Sequence, residues 1–225
     1  MASLEYEDEF RRKGYKRILG IDEAGRGPLA GPLVIAGVVL PVGFYNEEID
    51  DSKKVTDAKR RELYDIIMAN ALEVKVNIVD VETIDKLNIL RATKEGMEEI
   101  VRLVGDKCDA VFVDAVKLDG IDKPVLSLIK GDALSMSIAA ASIIAKVTRD
   151  DIMIELDKEY PMYDFKKNKG YGTKSHLLAL EKYGITKHHR MSYAPVYKAS
   201  MPRLDIWKKT LNFINSCYNW NVNDL

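Results

Sequence analysis

The stretch ILGIDEAGRGPLAGPLVIAGVVL, from Ile18 to Leu40, decides how the chain is built. It reads as strand, tight connection, strand. Tyr15 to Asp22 is apolar on both faces, the pattern of a strand buried in the middle of a sheet. Leu33 to Leu40 is a second apolar strand, closed by Pro41. Between them, Glu23 to Pro28 holds two glycines and a proline, which leaves room only for a tight turn. Short strands linked by turns, followed by strands separated by helices, imply a mixed sheet.

Working outward, periodicity supplies the remaining elements. Leu63, Ile66, Ile67 and Ala71 share one face of a helix that Thr56 caps. Val74, Val76 and Ile78 alternate as a half-exposed strand. Leu90, Lys94, Met97, Val101 and Val104 follow helical spacing up to Gly105. Ala110 to Asp114 is a fourth, largely apolar strand, and Val125 to Ile129 a short fifth. From Ala133 to about Leu156 the chain is helical, and the small residues Ala139, Ala140, Ala141, Ser142 and Ala145 predict close packing against the sheet. Beyond Pro161 come short basic helices, around His176–Tyr183 and Pro202–Asn215, with Trp207, Leu211 and Ile214 predicting a packed terminal helix. The expected architecture is α/β: a mixed five-stranded sheet in a body of residues 1–160, then a helical extension over 161–225.

Composition narrows the function classes. With 225 residues, 47% of them hydrophobic and 31% charged, the chain is of globular type. No run approaches the roughly 18 apolar residues of a membrane span, and the charged N-terminal stretch shows no signal-peptide pattern. A cytoplasmic protein with no membrane partner is expected. The two cysteines, Cys108 and Cys217, have no metal-binding spacing, which argues against a zinc site or a disulfide scaffold. Net charge is −1, yet Lys166 to Lys209 carries 11 Lys and Arg against two acids. That segment is therefore +9 and the remainder −10. A basic surface for a polyanion and a merely solvated lysine face fit this split equally well.

Four acids stand out. Asp22 and Glu23 end the first strand, Asp114 ends the fourth, and Asp132 lies between the fifth strand and the long helix. Strand ends beside a sheet crevice are where α/β folds place active sites. Buried carboxylates need pairing, hydrogen bonds or a metal. An all-oxygen donor set suits Mg²⁺ or Mn²⁺, and two such ions would clamp an in-line phosphoryl displacement. Read singly, Glu23 also fits a turn and Asp132 a helix N-cap. The glycines from Gly25 to Gly31 match neither a dinucleotide fingerprint nor a nucleotide P-loop.

Taken together, these residues resemble the type 2 ribonuclease H family. The resemblance runs through Gly20 to Pro32, Asp51–Ser52–Lys53–Lys54, Val113–Asp114, Lys130–Gly131–Asp132 and Ala139 to Asp150. It continues through Gly170–Tyr171–Gly172–Thr173, His176 and His189 to Pro195, in the family's order. It implies a ribonuclease H-like sheet with a C-terminal helical subdomain, and Asp22, Glu23, Asp114 and Asp132 as metal ligands. It further implies that Gly25, Arg26 and Gly27 contact a ribonucleotide 2′-hydroxyl, the group that separates RNA from DNA. Tyr171 is implied to pack on the sugar at an RNA–DNA junction. Lys53, Ser142, Lys146 and His176 fall at phosphate or substrate positions.

The activity so implied is endonucleolytic cleavage of the RNA strand of RNA–DNA hybrids and incision at single ribonucleotides in duplex DNA. The products would be 3′-hydroxyl and 5′-phosphate ends. A monomeric enzyme of ribonucleotide excision repair is the expectation. Two rivals are a non-catalytic hybrid-binding module and a type 3 relative. All four acids are present, against the first. About 17 residues precede the first strand, too few for the added domain of the second. One departure is Ala115, where the family usually has glycine after the third acid. If that position needs φ > 0, alanine is strained there.

Overall fold

The apolar runs become neighbouring strands of a single sheet. The computed structural model describes residues 2–50 and 55–201. Lys53 and the expected helix after Pro202 lie outside the described residues. The chain begins with helix α1 (Glu5–Arg12), then strands β1 (Ile18–Ala24) and β2 (Leu33–Val39). Helix α2 (Asp57–Asn70) leads to strand β3 (Glu73–Val79), followed by helices α3 (Val81–Leu87) and α4 (Ile89–Val104). Strands β4 (Ala110–Asp114) and β5 (Val125–Leu128) precede the long helix α5 (Met136–Glu159). Short helices α6 (Phe165–Asn168), α7 (Lys174–Tyr183) and α8 (Ala194–Ser200) close the described chain.

The five strands lie in the order β3-β2-β1-β4-β5. β1 is antiparallel to β2 and parallel to β4, so the sheet is mixed, with β1 at its centre. One face packs on α4 through Leu19, Ile21, Ile35, Met97, Ile100 and Val113. The other packs on α5 and α2 through Val34, Ala36, Leu63, Ile67, Ala140 and Ile144. Truncating a side chain as buried as Ile100 costs about 2–5 kcal/mol in such a core. The small-residue stripe of α5 does what its composition predicted: Ala139, Ala140, Ala141, Ser142 and Ala145 are all buried. At Gly20 the contact is closest, since a Cβ there would stand 2.2 Å from the Ser137 carbonyl carbon. Only glycine lets the helix settle that close to β1.

Several boundaries differ from expectation, each for a local reason. α5 begins at Met136 rather than Ala133 because the Ser135 hydroxyl caps it, accepting from the Ile138 amide. Asp132 therefore sits in a 3-10 turn over Gly131–Ala133 and is not the N-cap. Leu90 is on α4 but exposed; the buried face runs through Thr93, Gly96, Met97, Ile100 and Val104. α1 is short and mostly charged, and its apolar side is Tyr6 and Phe10, one turn apart, packed against Ile18 and Phe112. Its one buried residue is Glu7, which accepts from the Ser135 hydroxyl at 2.6 Å and the Ser137 amide at 2.9 Å. The helix thus braces the start of α5. After residue 160, Tyr163, Phe165, Leu180 and Val196 form a small core that also includes Leu29, Ala30 and Met153 from the earlier chain.

Candidate active site

β1 and β4 are parallel, with Ile21 beside Val113, so the next residues, Asp22 and Asp114, are neighbours on adjacent strands; Asp114 ends β4, whereas β1 runs two residues past the expected end at Asp22, to Ala24. Asp22 is buried, and its Oδ1 accepts from the Glu23 amide at 2.7 Å. Its carboxyl is pushed well above the ordinary range, chiefly by burial and then by the charges of Glu23 and Asp114. The Glu23 amide and the Ser142 hydroxyl oppose that shift. Asp114 Oδ1 accepts from the Gly131 amide at 2.7 Å. This bond ties the third acid to the turn that carries the fourth, the buried Asp132. Glu23 faces Arg26, with 3.6 Å between Oε1 and Nη1.

Beside these acids lies a cleft of about 220 Å³. It is lined by Glu23, Gly25, Arg26 and Gly27 together with Ser142, Lys146 and Tyr171, so six of the sequence-selected substrate positions meet one acid. The Tyr171 ring is half exposed and stands next to Gly27. Lys146 is already paired with Asp150, at 2.5 Å to Oδ2, and burial lowers its pKa.

His176 needs a correction. It is fully buried, and its Nδ1 lies 2.9 Å from the Tyr171 carbonyl and its Nε2 3.0 Å from His189 Nε2. The Thr186 amide donates to His189 Nδ1 at 3.0 Å, so the chain of bonds assigns one neutral tautomer to each ring. Burial lowers both, His189 to about 4. His176 therefore positions the Tyr171 loop instead of presenting an atom to a ligand. In the same basic segment Tyr183 and Tyr197 are half exposed.

Sequence reasoning missed the two residues that hold the cleft wall. Arg149 from α5 donates to the carbonyls of Pro32 at 3.0 Å, Ala30 at 3.1 Å and Lys169 at 2.9 Å. Arg190 donates to Gly25 at 2.7 Å, Arg26 at 3.2 Å and Gly31 at 2.8 Å. Both guanidinium groups are buried, and burial lowers the Arg149 pKa to about 10. Gly25 is needed here twice over: its φ is +105°, and a Cβ would lie 2.2 Å from Arg149 Nε. Arg149 lies beyond the alanine-rich run of α5, in the charged stretch Lys146–Asp151, so the letters alone do not single it out. On the other flank Ala115 has φ +49°, so alanine does occupy the left-handed region after Asp114.

The donors suit a hard divalent cation: four carboxylates, of which three repel one another around Asp22. Among the described residues no three His, Cys, Asp or Glu side chains stand as a ready-made metal cage. The fit rests on donor chemistry and on that repulsion.

A mixed sheet with carboxylates side by side on its adjacent parallel strands is of the ribonuclease H-like class, and solved structures agree. Ribonuclease H2 from Pyrococcus horikoshii OT3 superposes with a TM-score of 0.69 at 25% identity, covering 82% of this chain and 97% of that one. Ribonuclease HII from Archaeoglobus fulgidus, in its PCNA complex, gives 0.66 at 28% identity over 79% and 95%. The sequence is more specific. The ribonuclease HII family model matches residues 19–196. Ribonuclease HII of Acetivibrio thermocellus is 53% identical over 84% of this chain and 73% of that protein. That of Acholeplasma laidlawii is 48% identical over 87% and 96%. The chain belongs to the ribonuclease HII family.

Proposed function

We propose that this chain is a divalent-metal-dependent endoribonuclease that cuts the RNA strand of RNA–DNA hybrids and incises at single ribonucleotides in duplex DNA. It leaves 3′-hydroxyl and 5′-phosphate ends. One observation carries the reading: the Gly25–Arg26–Gly27 backbone and the Tyr171 ring share a cleft with Glu23, beside buried Asp22. A backbone-walled cleft can read a 2′-hydroxyl without preferring a base. Asp22, Glu23, Asp114 and Asp132 would hold two ions, Mn²⁺ or Mg²⁺. When bound, the ions supply charge stabilisation for in-line displacement at the phosphate.

The protein's own part is geometric. Arg149 and Arg190 fix the reading loop, His176 fixes the Tyr171 loop, and Ser142 steadies Asp22. The basic side chains after residue 165 hold the phosphate backbone, so affinity falls with salt. Incision at a lone ribonucleotide is the opening step of ribonucleotide excision repair, and the reading carries that role with it. The test is a DNA duplex with one embedded ribonucleotide, incubated with the protein in EDTA and then with Mn²⁺ or Mg²⁺. Metal-dependent incision at the ribonucleotide is expected. Binding of the duplex with no incision in either metal would favour the hybrid-binding module.

A further inference from the structure

Arg26 lines two cavities. The first is the cleft described above. The second, of about 390 Å³, forms where α4 begins and where the chain leaves β4 after Asp114. Four cationic side chains line it, Arg26, Arg91, Lys94 and Lys117, and no carboxylate does. Its apolar part is Leu90, which is 61% exposed, with Val116 buried. Nothing in the reaction proposed above uses this cavity.

Such a cluster is out of character for its surroundings. Outside Lys166 to Lys209 the chain carries a net charge of −10, yet here cations converge. Arg91 pairs with Glu95 at 2.7 Å and Lys94 with Asp119 at 2.5 Å. Both pairs are exposed to solvent, the kind that contributes little and exchanges readily for a better anion. A phosphate offers guanidinium and ammonium groups stronger, charge-assisted bonds. An exposed leucine beside the cations gives a sugar something to pack on. Position completes the argument: Arg26 joins the cavity to the cleft, and Ala115 in its wall directly follows Asp114.

We propose that this second cavity is a backbone subsite, holding one sugar–phosphate unit of the bound nucleic acid beyond the point of cleavage. The phosphate lies between Arg91 and Lys117, and the sugar lies against Leu90. The inference rests on the nuclease reading, and its test keeps the two separable. The variant is the double charge reversal Arg91→Glu/Lys117→Glu, compared with Lys13→Glu/Lys158→Glu, which touches neither cavity. Binding of a fluorescent RNA–DNA hybrid is followed in EDTA, where no cleavage is expected, over a series of salt concentrations.

Each lost phosphate contact lowers the slope of log K against log salt by about 0.9 for duplex DNA, so the subsite variant, which loses one phosphate, should lose about one unit of slope. Its affinity should fall at least tenfold, while the control double variant keeps the wild-type slope within error. Thermal melts with inorganic phosphate and with a mononucleotide form a second arm. If either ligand stabilises the wild type but not the variant, and the hybrid slope is unchanged, the cavity binds a free anion and the proposal is overturned. An unchanged slope with no such stabilisation overturns it as well. Should the wild type cut no ribonucleotide substrate at all, the nuclease reading fails first and takes the subsite with it.

Discussion

The chain leaves β1 and β4 side by side, and the two exits are held in contrasting ways. After Asp22 and Glu23 the loop Gly25–Pro32 is gripped from beneath by two buried arginines, which between them bond to the carbonyls of Gly25, Arg26, Ala30, Gly31 and Pro32. Its left-handed positions, Gly25 and Gly31, are glycines. After Asp114 the chain turns on Ala115, an exposed alanine at φ +49°, whose amide bonds to the Leu128 carbonyl at 2.9 Å. One exit is over-determined and the other is strained. The difference fits the role proposed for the first. A loop that reads one hydroxyl on a sugar must be rigid to within fractions of an ångström.

The largest effect should come from removing the grip. Arg190→Ala strands several buried carbonyls at once, and hydrogen bonds to charged groups contribute roughly 1.5–3 kcal/mol each, not additively. We predict a loss above about 4 kcal/mol, the exceptional class for a single substitution, and a fall in Tm of about 10 °C by calorimetry. A loss below about 1 kcal/mol would show that the loop holds itself and would erase the contrast.

Next in size is Asp22→Asn. It should lower kcat by about 10²–10³ if Asp22 serves the electrostatic role proposed, measured on a hybrid with saturating Mn²⁺. It should also stabilise the metal-free protein. The folded-state pKa of Asp22 is raised above 3.8, so between those two pKa values the folded state binds a proton that the unfolded state releases. Stability in EDTA therefore falls as pH rises through that window, and the asparagine variant removes that part of the slope. Urea melts across the window check this, and an identical pH slope in both proteins would sink it.

Tyr171→Ala tests whether the rigid exit reads the junction sugar. The loss should be roughly tenfold at a lone ribonucleotide, about 1.4 kcal/mol, and smaller on a long hybrid. Equal losses on both substrates would make the tyrosine an anchor for its loop and nothing more. The smallest change acts on the strained exit. Ala115→Gly relieves a left-handed alanine and should add about 1 kcal/mol, or 2–4 °C in Tm. No gain in Tm would mean that the turn already relaxes around the alanine.

The sheet was readable because its centre is redundant. Two apolar runs flank the glycine-rich turn, and the acids sit where those runs end. Ala115 was readable too, since a missing glycine is visible in the letters. Other parts were not. α1 is a two-turn helix of mostly charged residues whose apolar side is only Tyr6 and Phe10, too short a stripe for periodicity to single out. α3 is a single short helix started by the Asp80 cap, below the length at which periodicity speaks. Arg149, Arg190 and His176 act through partners as much as 165 residues away, and a linear reading has no distance rule for such bonds. Leu90 fell on the right spacing and the wrong face, because α4 turns its Gly96 side inward for Asn77 to reach.

The grip of Arg190 also sets a schedule. The loop it holds is among the first segments made, and Arg190 follows Gly25 by 165 residues. At about 5–20 residues per second of synthesis, the reading loop waits roughly 8–30 s for its second arginine. Through that interval β1, β2, β4 and α5 can already pack, since none of their paired residues lies beyond residue 159. The growing chain can thus hold a folded sheet before Arg190 is made to close on the Gly25–Pro32 loop.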